Sequence, residues 1–412
     1  MVQMSYDSKS EELMAKENKV VSPNYTPIPV VLSHGDGIYV TDVDGKKYID
    51  CLSAYSAVNQ GHLHPKIISA AEEQMKRITL TSRAFYNDQL GDFIEKLCNY
   101  SGMEMACPMN TGAEAVETGI KVARRWGYRN KKVEANKAEI IVCDDNFHGR
   151  TTTIVGFSSD PDSYEDFGPY PEGFKSIPFG DLAALETAIT SNTVAFLVEP
   201  IQGEAGVIVP PEGYLKGAYD ICKKNNVLLI ADEIQTGFAR TGKNFCFEFD
   251  EIKPDLLLVG KALGGGLMPI SATLGTKEIM SVLTSGSHGS TFGGNPLACA
   301  IGSAAIDVLV EEDLANKSME LGKYFLDKLK DLPSEIVKDA RGRGLLVAIE
   351  FKERGGKAKK YVMEMKSKGL LAKQTHDTII RFAPPLVITK DQVDDVVQII
   401  QSSIASVASK IE

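Results

Sequence analysis

Hydrophobic residues along this chain gather in short unbroken runs at 140–142, 195–198, 227–231 and 256–259, separated by stretches with helical periodicity. A strand without polar alternation is buried on both faces, so these runs predict an α/β fold with a mainly parallel sheet sandwiched by helices. The first fifty residues read differently. Short strands near 28–32, 38–42 and 47–51, punctuated by Gly35, Gly37 and Gly45, predict a small antiparallel ribbon. Beyond about 313 the pattern predicts helices near 313–331, 356–369 and 389–408 and strands near 345–350 and 378–382. The expected division is a large domain at 66–313 and a smaller α+β domain at 314–412, which the N-terminal segment 1–65 joins.

Two of the runs end in chemistry. Leu256, Leu257, Leu258, Val259 and Gly260 lead into Lys261, which Ala262, Leu263 and three glycines follow. An amine in apolar surroundings loses solvation, which lowers its pKa and frees its lone pair for attack on an aldehyde. The alternative is a strand-end lysine reaching solvent. The run at 227–231 ends in Asp232, at the mouth of what should be a neighbouring strand, and Glu199 follows a third run. In such sheets ligands gather at the carboxyl ends of the strands. A lysine and an aspartate there are what pyridoxal phosphate requires, one to hold its aldehyde and one to keep its ring nitrogen protonated.

Two segments are candidates for an anion site. Asn110, Thr111, Gly112, Ala113 and Glu114 precede a helical stretch, whose N-terminal amides would suit a phosphate; Thr111 and Glu114 also read as an ordinary capping box. Gly289 to Pro296, with Ser290 and Thr291, is rich in glycine and hydroxyls. The segment 237–243 opens like a nucleotide-triphosphate loop, but Asn244 stands where a magnesium-binding Ser or Thr is required, and no helix follows.

Composition, at 43% hydrophobic and 24% charged, is that of a folded globular protein, and 412 residues exceed one ordinary core. No apolar run approaches the ~18 residues of a membrane span. A net charge of −10 without a basic stripe argues against a nucleic-acid partner. Seven scattered cysteines, never in a CxxC spacing, predict reduced thiols and a cytoplasmic location. The mixed charges of the first twenty residues resemble neither a signal nor a transit peptide. His62 and His64 form an isolated pair, and no metal is expected.

In their order these pieces resemble the class III, fold-type I pyridoxal phosphate aminotransferases along nearly the whole chain. The supporting segments are Ser-Ala-Val-Asn-Gln-Gly-His at 56–62, Thr-Ser-Arg-Ala-Phe-Tyr at 81–86, Glu-Pro-Ile-Gln-Gly-Glu at 199–204, Ala-Asp-Glu-Ile-Gln-Thr-Gly at 231–237 and Ile-Arg-Phe-Ala-Pro-Pro at 380–385. The resemblance implies a seven-stranded sheet. It further implies that Lys261 binds pyridoxal 5′-phosphate covalently and moves a proton between cofactor and substrate carbons. Asp232 would pair with the ring nitrogen, Gln235 approach the ring hydroxyl, and Phe147 stack on the ring. Thr111, Gly112, Ala113 and Ser290 would serve the phosphate, and Thr291 would reach the other subunit's phosphate in a homodimer.

On the substrate side the resemblance extends to the branch that accepts ornithine. Arg150 would hold the α-carboxylate of ornithine or the distal carboxylate of glutamate, and Arg381 the α-carboxylate of glutamate or 2-oxoglutarate. Glu204 would mask Arg381 until the dicarboxylic substrate arrives; read alone, the pair is also an ordinary salt bridge. Tyr25 and Tyr55 would orient ornithine's non-reacting amine and carboxylate. His148 departs from the tryptophan common in that branch and matches the acetylornithine relatives, a change expected at the pocket wall and not in the cofactor chemistry. The implied reaction is ping-pong transfer of ornithine's δ-amino group to 2-oxoglutarate, giving glutamate and a semialdehyde that cyclises. The rival donors are acetylornithine, 4-aminobutyrate and lysine; the rival of another class is a cofactor-free binding protein of the same shape.

Overall fold

The computed structural model describes residues 8–409. Among them, three short strands come first: Leu32–Asp36 (β1), Tyr39–Asp42 (β2) and Lys47–Asp50 (β3). Seven follow: Met105–Met109 (β4), Glu139–Cys143 (β5), Phe174–Ile177 (β6), Thr193–Val198 (β7), Leu228–Asp232 (β8), Leu256–Val259 (β9) and Ser271–Gly275 (β10). The last five are Val337–Arg343 (β11), Leu346–Phe351 (β12), Leu370–Leu371 (β13), Lys373–Thr375 (β14) and Ile379–Phe382 (β15).

The middle seven form one sheet, ordered β4-β10-β9-β8-β7-β5-β6, in which β10 alone opposes the common direction. The apolar runs have a direct cause. Along β8, Leu229 and Ala231 pack into one core while Leu228 and Ile230 pack into another on the opposite face; β9 divides in the same way between Leu257 and Leu258. Helices cover both faces, so neither set of side chains meets water. The helix Gly112–Trp126 lies over one face, and Gly119 lets it approach closely: a Cβ there would stand 2.9 Å from Leu258.

The N-terminal ribbon is present, but its first strand is 32–36 rather than 28–32. Four of β1's five residues are exposed, so no burial pattern marks it. The ribbon gains a fourth strand from far along the chain, because β13 pairs in parallel with β3. β11, β12, β15 and β14 make a third sheet, antiparallel throughout.

The segment that opens like a nucleotide loop has another use. Arg240 is fully buried, and its guanidinium donates to the carbonyls of Leu345 (3.0 Å) and Pro384 (2.7 Å) and to Asn59 Oδ1 (2.6 Å). It ties the large sheet's periphery to both the early and the late segments of the chain.

Candidate active site

The carboxyl ends of β7, β8 and β9 open on a cleft of about 650 Å³, lined among others by Gly112, Ala113, Phe147, His148, Asp232, Gln235 and Lys261. Lys261 leaves β9 through Gly260 with a left-handed φ of 45°, a strained conformation of the kind found at functional sites. Burial lowers its pKa to about 8; the Arg381 charge acts in the same direction, while Glu204 and Asp232 oppose it. At pH 7 an amine of pKa 8 is roughly 9% neutral, about 300-fold more than at the ordinary 10.5.

Asp232 ends β8, the neighbouring parallel strand, and is buried. One of its oxygens accepts from the Ile234 amide at 3.1 Å; the other lies 2.6 Å from Nδ1 of the buried His148. Burial alone would lower the His148 pKa, but the hydrogen bond to Asp232, with the charges of Asp232 and Glu199, raises it. The ring is thus biased toward donating to the aspartate. His148 lines the cleft, as expected of a pocket-wall residue, and it is also hydrogen-bonded to Asp232, the carboxylate expected to serve the cofactor. Behind this pair sits Glu199, which accepts from the amides of Phe147 (3.0 Å) and Gly203 (3.4 Å). Burial pushes its pKa up to about 7; the Asp232 charge adds to this and His148 opposes it.

Thr111 is the N-cap of helix Gly112–Trp126 and forms the capping box: its hydroxyl accepts from the Glu114 amide, and Glu114 accepts from the Thr111 amide. The box is structural and also leaves room for a ligand. The amides of Gly112 and Ala113 stand at the first two helical positions, where a helix offers no acceptor of its own. Ser290 is drawn to the same place, its hydroxyl accepting from Asn110 Nδ2 at 2.9 Å. Thr291 is exposed and does not line this chain's cleft.

The remaining candidates come from distant segments. Arg381, on β15 and 2% exposed, donates through Nη1 to Glu204 Oε1 at 2.7 Å, to the Gly203 carbonyl at 3.1 Å and to Gln235 Oε1 at 3.2 Å. Gln235 in turn donates to Glu204 at 3.0 Å, so it already holds the ion pair. Burial would raise the Glu204 pKa, but the charges of Arg381 and Lys261 bring it down to about 2. Tyr55 lies against Arg381, whose Cζ is 5.5 Å from the ring centroid.

Tyr55 belongs to a turn, Ser53–Ser56, whose four residues all have positive φ (48°, 45°, 63° and 72°). Left-handed backbone costs a residue with a Cβ roughly 1–2 kcal/mol, and Asp50 supports the turn by accepting from the amides of Leu52 and Ser53. Two expected substrate residues are less enclosed. Tyr25 is 64% exposed, and Arg150 is exposed, with its guanidinium 3.3 Å from the Ser163 hydroxyl. Lys373, which bonds the Tyr55 hydroxyl, carries an interaction here that no local motif announces.

An amine made more nucleophilic by burial, a buried carboxylate on the next strand, an aromatic side chain and a helix end with two free amides suit a phosphorylated aromatic aldehyde with a basic ring nitrogen. Fold and cleft together define a pyridoxal phosphate enzyme. Residues 20–404 match the class-III aminotransferase family, and the chain belongs to it. It is 56% identical to the ornithine aminotransferase of Brevibacillus brevis over 387 residues, 94% of this chain and 96% of that one. The crystal structure of the ornithine aminotransferase from Toxoplasma gondii, which has partial occupancy of pyridoxal phosphate at its active site, superposes with a TM-score of 0.96 at 44% identity, covering 98% and 96% of the two chains. The acetylornithine aminotransferase from Elizabethkingia anophelis superposes with a TM-score of 0.88 at 47% identity over 97% of this chain and all of that one.

Proposed function

We propose that this aminotransferase moves the δ-amino group of L-ornithine to 2-oxoglutarate, giving glutamate 5-semialdehyde, which cyclises to pyrroline-5-carboxylate, and glutamate. Pyridoxal phosphate, when bound, supplies an electron-withdrawing ring and carries the amino group between the two substrates. Lys261 would hold the cofactor aldehyde, and its amine is the group that would move the proton between cofactor and substrate carbons. Asp232, held by His148, would pair with the ring nitrogen, Gln235 would approach the ring hydroxyl, and Phe147 would stack on the ring. Gly112, Ala113, Thr111 and Ser290 would hold the phosphate.

The observation that carries the substrate assignment is the Arg381–Glu204 pair at 2.7 Å, its arginine buried and its glutamate half-buried. A transaminase must admit a dicarboxylic acid and an ω-amino donor in turn. A permanently free Arg381 would capture ornithine by its α-carboxylate and present the wrong amine. With Glu204 on Arg381, ornithine binds the other way round, its α-groups meeting Tyr25, Tyr55 and Arg150. A dicarboxylate then displaces Glu204, a charge-assisted exchange. The relatives' names favour ornithine over its acetylated form.

Thr291 completes the phosphate site of a second copy in this reading. Its flanks support a homodimer, since Phe85, Tyr86 and Phe292 are exposed apolar side chains and Asn87 bonds the Gly294 carbonyl beside them.

Purified protein mixed with pyridoxal phosphate, L-ornithine and 2-oxoglutarate should generate pyrroline-5-carboxylate, measured as its coloured adduct with 2-aminobenzaldehyde. No adduct, with brisk turnover of N-acetylornithine or 4-aminobutyrate instead, overturns the assignment.

A further inference from the structure

One cation near Tyr55 has no part in the reading above. Lys373, on β14, donates from Nζ to the Tyr55 hydroxyl at 2.7 Å. Its nitrogen is 4.9 Å from the centroid of that ring, so it sits at the hydroxyl end rather than over the face, and it lies 6.0 Å from the ring of Tyr25. Its polar partner is a neutral phenol instead of a carboxylate. The contact joins two segments 318 residues apart and falls on the left-handed turn Ser53–Ser56, where backbone strain is sustained by the surrounding fold.

An ammonium has three donors and no acceptor. The Tyr55 oxygen must therefore accept from Lys373, and its own proton is turned away from that contact. The hydroxyl is left as a donor toward any other group it meets, with a positive charge directly behind it. We infer that Lys373 is a specificity-determining positioning residue: it fixes the Tyr55 hydroxyl as a hydrogen-bond donor, so that this corner of the site accepts the carboxylate of an amino acid and turns its ammonium away.

The inference rests on the proposal that Tyr55 meets the non-reacting end of the donor substrate. It extends that proposal by naming which group is recognised and what enforces the choice. A donor with a free carboxylate is selected over a diamine of the same chain length.

The test compares ornithine with 1,4-diaminobutane, which has the same carbon spacing without the carboxylate, in the holoenzyme and five variants. Lys373→Met should raise KM for ornithine about tenfold, leave KM for the diamine within about twofold, and change kcat little. Lys373→Arg, which restores charge and donor, should recover most of the loss. Lys373→Gln gives an independent reading of the lost charge and should fall on the methionine side. In the Tyr55→Phe background, Lys373→Met should add less than about twofold, since the lysine acts through the hydroxyl. An unchanged KM for ornithine in Lys373→Met, an equal rise for both donors, or full additivity with Tyr55→Phe overturns the inference. If Tyr55→Phe leaves the ornithine KM untouched, the placement of Tyr55 fails and the inference falls with it. If Tyr55→Phe responds and Lys373→Met does not, the inference alone fails.

Discussion

Two groups of side chains make up the candidate site, and they are built by opposite means. Lys261, Asp232 and Glu199 follow the ends of adjacent parallel strands, so backbone register alone spaces them. Tyr55, Lys373, Arg381 and Glu204 come from the N-terminal turn, the last sheet and the loop after β7, and they are held by hydrogen bonds between charged or phenolic groups. The first group cannot rearrange without breaking the sheet. The second is made of contacts that a substrate carboxylate can replace. On the proposed function, reactivity belongs to the rigid set and choice of substrate to the exchangeable one.

Breaking the rigid set should cost most. Lys261→Ala is expected to reduce turnover by about 10⁴-fold or more, and borohydride treatment with pyridoxal phosphate should add no cofactor mass at that position. Near-normal turnover would dissolve the distinction. Arg381→Ala touches only the exchangeable set and should separate the half-reactions. The 2-oxoglutarate half is expected to fall by about 100- to 1,000-fold and the ornithine half by less than about tenfold in single-turnover assays. Equal losses would mean that the Glu204 pair is structural. His148→Phe removes the donor to a buried carboxylate and should cost about 10- to 100-fold, equally in both half-reactions because both use the same aspartate. A loss confined to one half would move His148 to the substrate side.

A smaller effect crosses between the sets. Because Lys261 must lose its proton to attack an aldehyde, capture of pyridoxal phosphate by the apoprotein should rise with pH through a midpoint near 8. The Glu204 charge raises that pKa, so Glu204→Gln should move the midpoint to lower pH. A midpoint that does not move would show that the two sets are electrically independent.

The same contrast explains what could be read from the sequence. Runs such as β8 and β9 were legible because alternate residues enter two different cores, and Lys261 and Asp232 were legible because each follows such a run. β11, Val-Lys-Asp-Ala-Arg-Gly-Arg, carries almost no buried residue, and β10, Ser-Ala-Thr-Leu-Gly, is buried but built of small residues. Neither has an apolar run to reveal it. His148 meets Asp232 across 84 residues, and Lys373 meets Tyr55 across 318. No local spacing encodes such contacts. Arg240 resembled part of a nucleotide loop because its partners, at positions 59, 345 and 384, are brought to it only by the fold.

In the proposed function, Glu204 on Arg381 decides which end of ornithine reacts. The most direct measurement follows label into glutamate from ornithine carrying ¹⁵N at either the δ or the α nitrogen. Label should come from the δ position alone in the native protein, and α label should appear in Glu204→Gln. Comparable transfer from both positions in the native protein would contradict it.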